Sequence, residues 1–217
     1  MTFSTPSIRL TTLAAALAAA TLLGACAPLL IGGAFVGGGM VATDRRTSGT
    51  QVEDQSIEIK GGKRVSDAIG DRGHVNVTSY NRLVLVTGEV PSEADKASVE
   101  QYIARIENVR SIVNELAIGA PSSIGTRSSD TLITSKVKAS IVDAKDIQVA
   151  AFKVVTERGN VYLMGRVTER EANRAAEVAR GVSGVLKVVK VFEVISESEL
   201  AGTAQPAPLP AASAMKP

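Results

Sequence analysis

Val84-Leu85-Val86-Thr87-Gly88-Glu89-Val90 decides the fold, because it returns as Val161-Tyr162-Leu163-Met164-Gly165-Arg166-Val167 when Gly88 is laid on Gly165. Both runs are apolar strands holding one glycine, and both lead into a helix-start signal. Ser92 with Asp95 approximates a capping box and Thr168 with Glu171 matches one fully. Behind these caps, apolar residues recur at spacings of three and four: Val99, Tyr102, Ile103 and Ile106 in the first copy, and Ala172, Ala175, Ala176, Ala179 and Val182 in the second. Each copy then closes on a further strand, Val109-Arg110-Ser111-Ile112-Val113-Asn114-Glu115-Leu116 against Val185-Leu186-Lys187-Val188-Val189-Lys190-Val191-Phe192.

Upstream of the matched glycines lie Val75 to Ser79 and Phe152 to Thr156, joined to the next strand by turns at Asn81-Arg82 and Arg158-Gly159-Asn160. Turn residues between two β-branched runs predict hairpins. Before each hairpin sits an amphipathic stretch, weak from Ile57 to Ile69, where Gly61 and Gly62 interrupt it, and clear from Thr131 to Val142. The expected fold is therefore α+β: two tandem αββαβ units, each with helices packed on a three-stranded mixed sheet. Such a unit holds about 65 residues, near the lower limit for a self-sufficient core. Its small size and uncovered sheet edges favour packing of one copy on the other. The repeats span 51–119 and 128–196, with a linker at 120–127 and a disordered tail of Ala, Pro, Ser and Thr over 197–217.

The N-terminus points to a membrane anchor. Residues 10–25 form an apolar stretch preceded by Arg9, too short to cross a bilayer and typical of a secretory leader. It ends in Leu23-Gly24-Ala25-Cys26, which resembles the bacterial lipobox. That resemblance implies cleavage after a signal peptide of residues 1–25, with diacylation of the Cys26 thiol. Several acyl chains hold far better than the single chain that binds only marginally. Residues 26–50 then read as a glycine-rich flexible tether. Ala27, rather than Asp, follows the cysteine, which favours the outer membrane.

Composition excludes most other functions. The 217 residues are 45% hydrophobic and 21% charged, too polar for a polytopic membrane protein. One Cys and one His cannot build an internal disulfide or a thiolate-imidazole zinc site, so no metal or cofactor is expected. A net charge of +2 with no Trp gives no footprint for nucleic acid. The polar residues form no nucleophile, base and orienter set, so no catalytic site is expected.

The motifs Gly88-Glu89-Val90-Pro91-Ser92-Glu93-Ala94-Asp95 and Gly165-Arg166-Val167-Thr168-Glu169-Arg170-Glu171-Ala172, set in the order αββαβ, resemble the BON domain of bacterial envelope proteins. The second copy keeps the fuller pattern through Gly184-Val185, whereas the first has Asn108 in the place of that glycine. Two copies behind a lipobox resemble the dual-BON outer-membrane lipoproteins. The resemblance implies a lipid-anchored, periplasm-facing protein whose second domain binds anionic phospholipids such as phosphatidylglycerol and cardiolipin. It also implies a role in outer-membrane integrity, with association with the division site and with the outer-membrane protein assembly machinery. A protein-interaction adaptor for an envelope assembly or cell-wall remodelling complex, with lipid contact incidental, is the alternative.

Charge agrees with the second domain as the lipid-facing one. From Gln55 to Gly119 there are 8 Lys or Arg against 9 Asp or Glu; from Ser128 to Ile195 there are 11 against 8. On the helix Thr131 to Val142, Ile133, Val137 and Ile141 form the face that covers the sheet, while Leu132, Ser135, Lys136 and Ala139 cluster on another side. The candidate phospholipid-binding residues are Leu132, Ile133, Ser135, Lys136, Lys138 and Ala139. Three readings stay open for Leu132: it inserts among headgroups while Lys136 pairs with phosphate, it packs against the first copy, or it is one of the lone exposed apolar residues that every surface has. The resemblance places Trp at this position, and Leu lacks the interfacial preference of an indole. Of the remaining residues, His74 reads as a solvated loop residue, Tyr80 and Tyr162 as packing or edge residues, and Asp143 and Asp146 as solvated helix-end acids. Arg45-Arg46 reads as a headgroup contact or a solvated pair.

Overall fold

In the computed structural model, residues 44–204 are described. The leader, Cys26 and most of the expected tether, together with the tail beyond residue 204, lie outside the described residues. Both repeats belong to one compact unit, Val41–Pro217.

The first repeat runs α1 (Ser48–Ile69), β1 (His74–Tyr80), β2 (Leu83–Val90), α2 (Glu93–Ala104), β3 (Ser111–Asn114) and β4 (Ala117–Ile118). The second runs α3 (Ile124–Asp143), β5 (Phe152–Glu157), β6 (Asn160–Thr168), α4 (Glu169–Arg180) and β7 (Lys187–Ile195), and α5 (Glu197–Ala204) follows. In both, the middle strand pairs antiparallel with its hairpin partner and parallel with the last strand, giving the orders β1-β2-β3 and β5-β6-β7. The expected αββαβ fold is observed, with one difference. The last strand of the first sheet is broken at Glu115-Leu116, so that β3 and β4 pair separately with β2.

The repeats pack sheet to sheet. Along β2, Val84, Val86 and Val90 join Ile57, Val65, Val99 and Ile103 of the helices, while Leu85 points the other way. Along β6, Val161, Leu163 and Val167 meet Ile133, Val137 and the alanines of α4, while Tyr162 and Met164 point to the first repeat. Tyr80, Leu85, Tyr162, Met164 and Val191 thus form a third apolar cluster between the sheets. Strand period two sends alternate residues to opposite faces, and here both faces are covered. Tyr80 and Tyr162 are therefore core residues of the seam. Burial, then Glu115 and Glu157, pushes the Tyr162 hydroxyl up to about 12.

Three boundaries differ from the sequence expectation. Helix α1 begins at Ser48, where Thr47 accepts from the Thr50 amide, and runs through Gly61-Gly62 without a break. A Cβ at Gly61 would come within 2.9 Å of Val77, so the glycine lets the helix seat on β1. That packing outweighs a propensity cost of about 1 kcal/mol per glycine. Helix α3 begins at Ile124, capped by Ser123, so the expected linker 120–127 shrinks to a few residues. Finally, residues 197–204 are helical rather than a disordered tail: Ser196 Oγ accepts from the Glu199 amide, and Arg166 pairs with Glu199.

Candidate functional site

Helix α3 is fixed by Asp130, whose carboxylate accepts the amides of Arg158 and Gly159 at 2.8 Å each. Those amides belong to the β5-β6 turn, where both residues have positive φ. The first repeat does the same with Asp54, which accepts from Asn81 and Arg82 at 2.8 Å and from Ser79 Oγ at 2.6 Å. One buried aspartate per repeat thus ties the first helix to the hairpin turn. The sequence held a signal for both: Asp54-Ile57-Gly61-Val65 and Asp130-Ile133-Val137-Ile141 share one spacing, with the acid on the core stripe.

This anchoring sorts the candidate residues into three groups. Ile133 is 6% exposed and packs in the second core, so it is not available to a ligand and is removed from the candidate set. Leu132, Lys136 and Ala139 lie exposed on the outer face. Ser135 and Lys138 are also exposed, but they line a groove beside β1. Leu132 is 63% exposed, which excludes the reading that it packs against the first repeat. Two apolar residues missed from sequence, Ile124 at 78% and Val142 at 60% exposure, share one side of the helix, about 80° round from Leu132 towards Ser135. The capping residue Ser123 was the signal that would have extended the helix back to Ile124.

The electrostatics of α3 differ from those of its neighbours. Arg127, Lys136 and Lys138 meet no carboxylate among the described residues, whereas Arg170 and Arg174 on α4 pair with Glu197 and Asp146. Asp143 is the one exposed acid on α3. The helix therefore presents unneutralised positive charge around an apolar stripe.

Two other expectations change. Arg45 makes a bidentate pair with Glu171 at 2.7 Å and donates to the Arg166 carbonyl at 3.0 Å. Arg46 pairs with Asp44 and Asp54 and lies over the Tyr80 ring at 4.2 Å. Neither arginine is a headgroup contact or a solvated pair: one grips the second repeat and the other the first. Glu171, the capping-box residue of α4, is held below the usual carboxylate range first by its hydrogen bond with Arg45. His74 is half-buried as the first residue of β1, not a solvated loop residue, and burial followed by the charge of Arg127 lowers its pKa. Among the described residues, no group of His, Cys, Asp and Glu is arranged to hold a metal ion, and no helix is long and apolar enough to cross a membrane.

The repeats also match a known domain. The profile of the BON domain fits residues 62–120 and again residues 129–196. The chain belongs to the BON-domain family. It is 38% identical over 185 residues to "Outer membrane lipoprotein DolP" of Haemophilus influenzae, covering 84% of this chain and 95% of that protein. It is 36% identical over 154 residues to "21 kDa hemolysin" of Actinobacillus pleuropneumoniae, covering 70% and 79%. "Osmotically-inducible protein Y" of Escherichia coli (strain K12) is 26% identical over 148 residues, covering 64% and 72%.

The one departure in the first BON domain is conformationally conservative. Asn108 has φ 66°, and Gly184 at the corresponding place in the second BON domain has φ 97°. Asn is among the few residues besides Gly that adopt the left-handed region readily, and its side chain also donates to Glu53 at 2.8 Å. Asn108→Gly is expected to change stability by less than about 1 kcal/mol, since lost strain and a lost exposed hydrogen bond offset. Denaturant unfolding checks this.

Proposed function

We propose that this chain is a non-enzymatic outer-membrane lipoprotein facing the periplasm, held by acylated Cys26, whose second BON domain binds anionic phospholipid and thereby supports outer-membrane integrity. The observation that carries the reading is the exposed surface of α3: Ile124, Leu132 and Val142 are exposed along it, Lys136 lies beside Leu132, and Arg127 and Lys138 lie on the flank towards β1, none of the three cations meeting a carboxylate among the described residues. An apolar stripe flanked by unpaired cations suits a helix lying in the headgroup region, where each basic residue gains about 1 kcal/mol against an anionic surface. Three such contacts bias orientation, and the acyl anchor supplies retention and high local concentration. The likeness to an outer-membrane lipoprotein over 95% of that protein's length supports the compartment and the anchor.

Helix α1 sharpens the choice of face. It exposes Val52 and Ile59, but its cations Lys60, Lys63 and Arg64 are balanced by Glu53, Glu58 and Asp67 on the same helix, with Lys63 paired to Asp67. Apolar exposure alone therefore does not distinguish the domains; the excess of positive charge on α3 does. Residues 41–217 are expected to bind vesicles containing phosphatidylglycerol or cardiolipin and not neutral ones. Leu132→Glu combined with Lys136→Glu is expected to reduce that binding at least about tenfold, because insertion and attraction are both reversed. Vesicle co-sedimentation measures it, and unchanged binding by the double variant would remove α3 from the contact.

A further inference from the structure

Among the described residues, each sheet has an outer strand on either side, β1 and the broken β3–β4 in one, β5 and β7 in the other. Outer strands invite the addition of a further strand unless charge, proline or a break blunts them. The β3–β4 edge is interrupted at Glu115-Leu116, β7 exposes Lys187 and Lys190, and β5 carries Lys153 and Glu157. Strand β1 has none of these devices. Its seven residues, His74 to Tyr80, include no Lys, Arg, Asp, Glu or Pro, and they pair with β2 in one unbroken register.

The hydrogen bonds at one end of β1 show which main-chain groups face outward. The Ser79 amide donates to Glu58 at 2.8 Å and the Ser79 carbonyl accepts from Lys153 at 3.1 Å, so both point away from β2. Alternate residues of an antiparallel ladder share one direction, which turns the amides and carbonyls of Val75 and Val77 outward as well. Among the described residues no group bonds them. Glu58 and Lys153 therefore close one end of the edge and leave the rest open.

A strand laid beside β1 would continue its alternation of side chains, and a cleft lies on each side to receive them. Val75 and Val77 pack toward the first core, and the cleft on that side is small, about 180 Å³, with Val65 and Ile69 in its wall beside Gly62 and Gly73. Asn76 points the other way, to Glu157 at 2.9 Å, and the cleft on that side is about 430 Å³ and holds Arg127 and Lys138 of α3. The acids there do not offset these cations: Asp130 is spent on the turn amides, and Glu157 is 5% exposed and held by Asn76. One side of the open edge is thus narrow and apolar, and the other is wide and basic.

We infer that the edge of β1 binds an extended peptide as a further strand, its main chain pairing with Val75 and Val77, its small apolar side chains set toward α1 and its acidic ones toward Arg127 and Lys138. In strand addition the main-chain bonds supply affinity and the clefts for alternate side chains supply selectivity. The site does not depend on the lipid-surface reading, since Leu132 and Lys136 take no part in it.

The test uses residues 41–217 and two acetylated, amidated peptides, Ser-Val-Glu-Val-Glu-Val-Ser and the same sequence with Lys in place of Glu, with amide hydrogen exchange followed residue by residue. The expected result is slowed exchange at Val75 and Val77 with the Glu peptide alone, and little change at Asn76 and Thr78, whose amides already face β2. Val75→Pro removes one outward donor without touching the ladder to β2. Arg127→Glu with Lys138→Glu, at exposed positions, guards against a folding failure of the proline variant. Each is expected to weaken binding of the Glu peptide about tenfold. Equal protection by both peptides, protection by neither, or unchanged affinity in the charge variant would overturn the proposal. Protection of Val75 and Val77 by phosphatidylglycerol vesicles and not by the peptide would overturn it too, and would make this edge part of the membrane contact.

Discussion

Gly88→Ala is expected to destabilise the first BON domain by at least about 4 kcal/mol, the range reached when backbone must move. A Cβ at residue 88 would lie 1.9 Å from the His74 carbonyl oxygen and 2.9 Å from its carbon, and the residue has φ +114°. No rotamer relieves a clash between a Cβ and a main-chain oxygen. The register pairs Gly88 with Val75, so the collision falls inside the β1-β2 ladder and must open it. Loss of that ladder would also uncover the seam cluster around Tyr162 and Met164, so the second domain should feel the change. At about 2–4 °C per kcal/mol for a chain of this size, thermal unfolding should shift down by about 10 °C or more. A midpoint within about 2 °C of wild type would contradict the assigned register.

Asp54→Ala is expected to cost about 3–5 kcal/mol, because removing one partner leaves buried groups unpaired. Its carboxylate serves the Ser79 hydroxyl, the Asn81 and Arg82 amides, and Arg46 at 2.8 Å. Asp130→Ala provides the internal comparison. Asp130 holds only the two turn amides and no cation, so its loss should cost less. Acid unfolding adds a second readout. Burial pushes the Asp54 carboxyl up, but the hydrogen bonds from Ser79, Arg82, Arg46 and Asn81 outweigh it and hold it below its ordinary value of 3.8. A depressed folded pKa contributes stability above the unfolded value and loses it as pH falls through the folded one. The wild type should therefore lose stability below about pH 4, and Asp54→Ala should show a flatter dependence there, measured by denaturant unfolding across pH.

The repeat and its strand order were legible because periodicity and turn chemistry are local. Gly88 and Gly165 aligned the copies, and the structure explains both: a Cβ at Gly165 would lie 2.3 Å from the Ala151 carbonyl oxygen. What failed was governed by tertiary contact. Gly61 reads as a helix breaker until Val77 is seen against it, and Arg45-Arg46 read as a free basic pair until Glu171, 126 residues from Arg45, closes on it. Gly125, Ser128 and Ser129 hid the first turns of α3, and with them Ile124 and Arg127. The choice between an exposed and a packed Leu132 depended on how the sheets stack, which no local pattern records.

The most direct test of the central claim compares two apolar positions of equal exposure. Leu132 on α3 and Ile59 on α1 are each 63% exposed, but α1 sets Glu53, Glu58 and Asp67 against Lys60, Lys63 and Arg64, while α3 exposes only Asp143 against Arg127, Lys136 and Lys138. Cys26 is the only cysteine and lies outside residues 41–217, so single-cysteine variants at 132 and at 59 can each carry an environment-sensitive fluorophore. With phosphatidylglycerol vesicles, the label at 132 is expected to shift to the blue and that at 59 to remain as in water. A shift at 59 but not at 132, or none at either, would contradict lipid contact through the second BON domain.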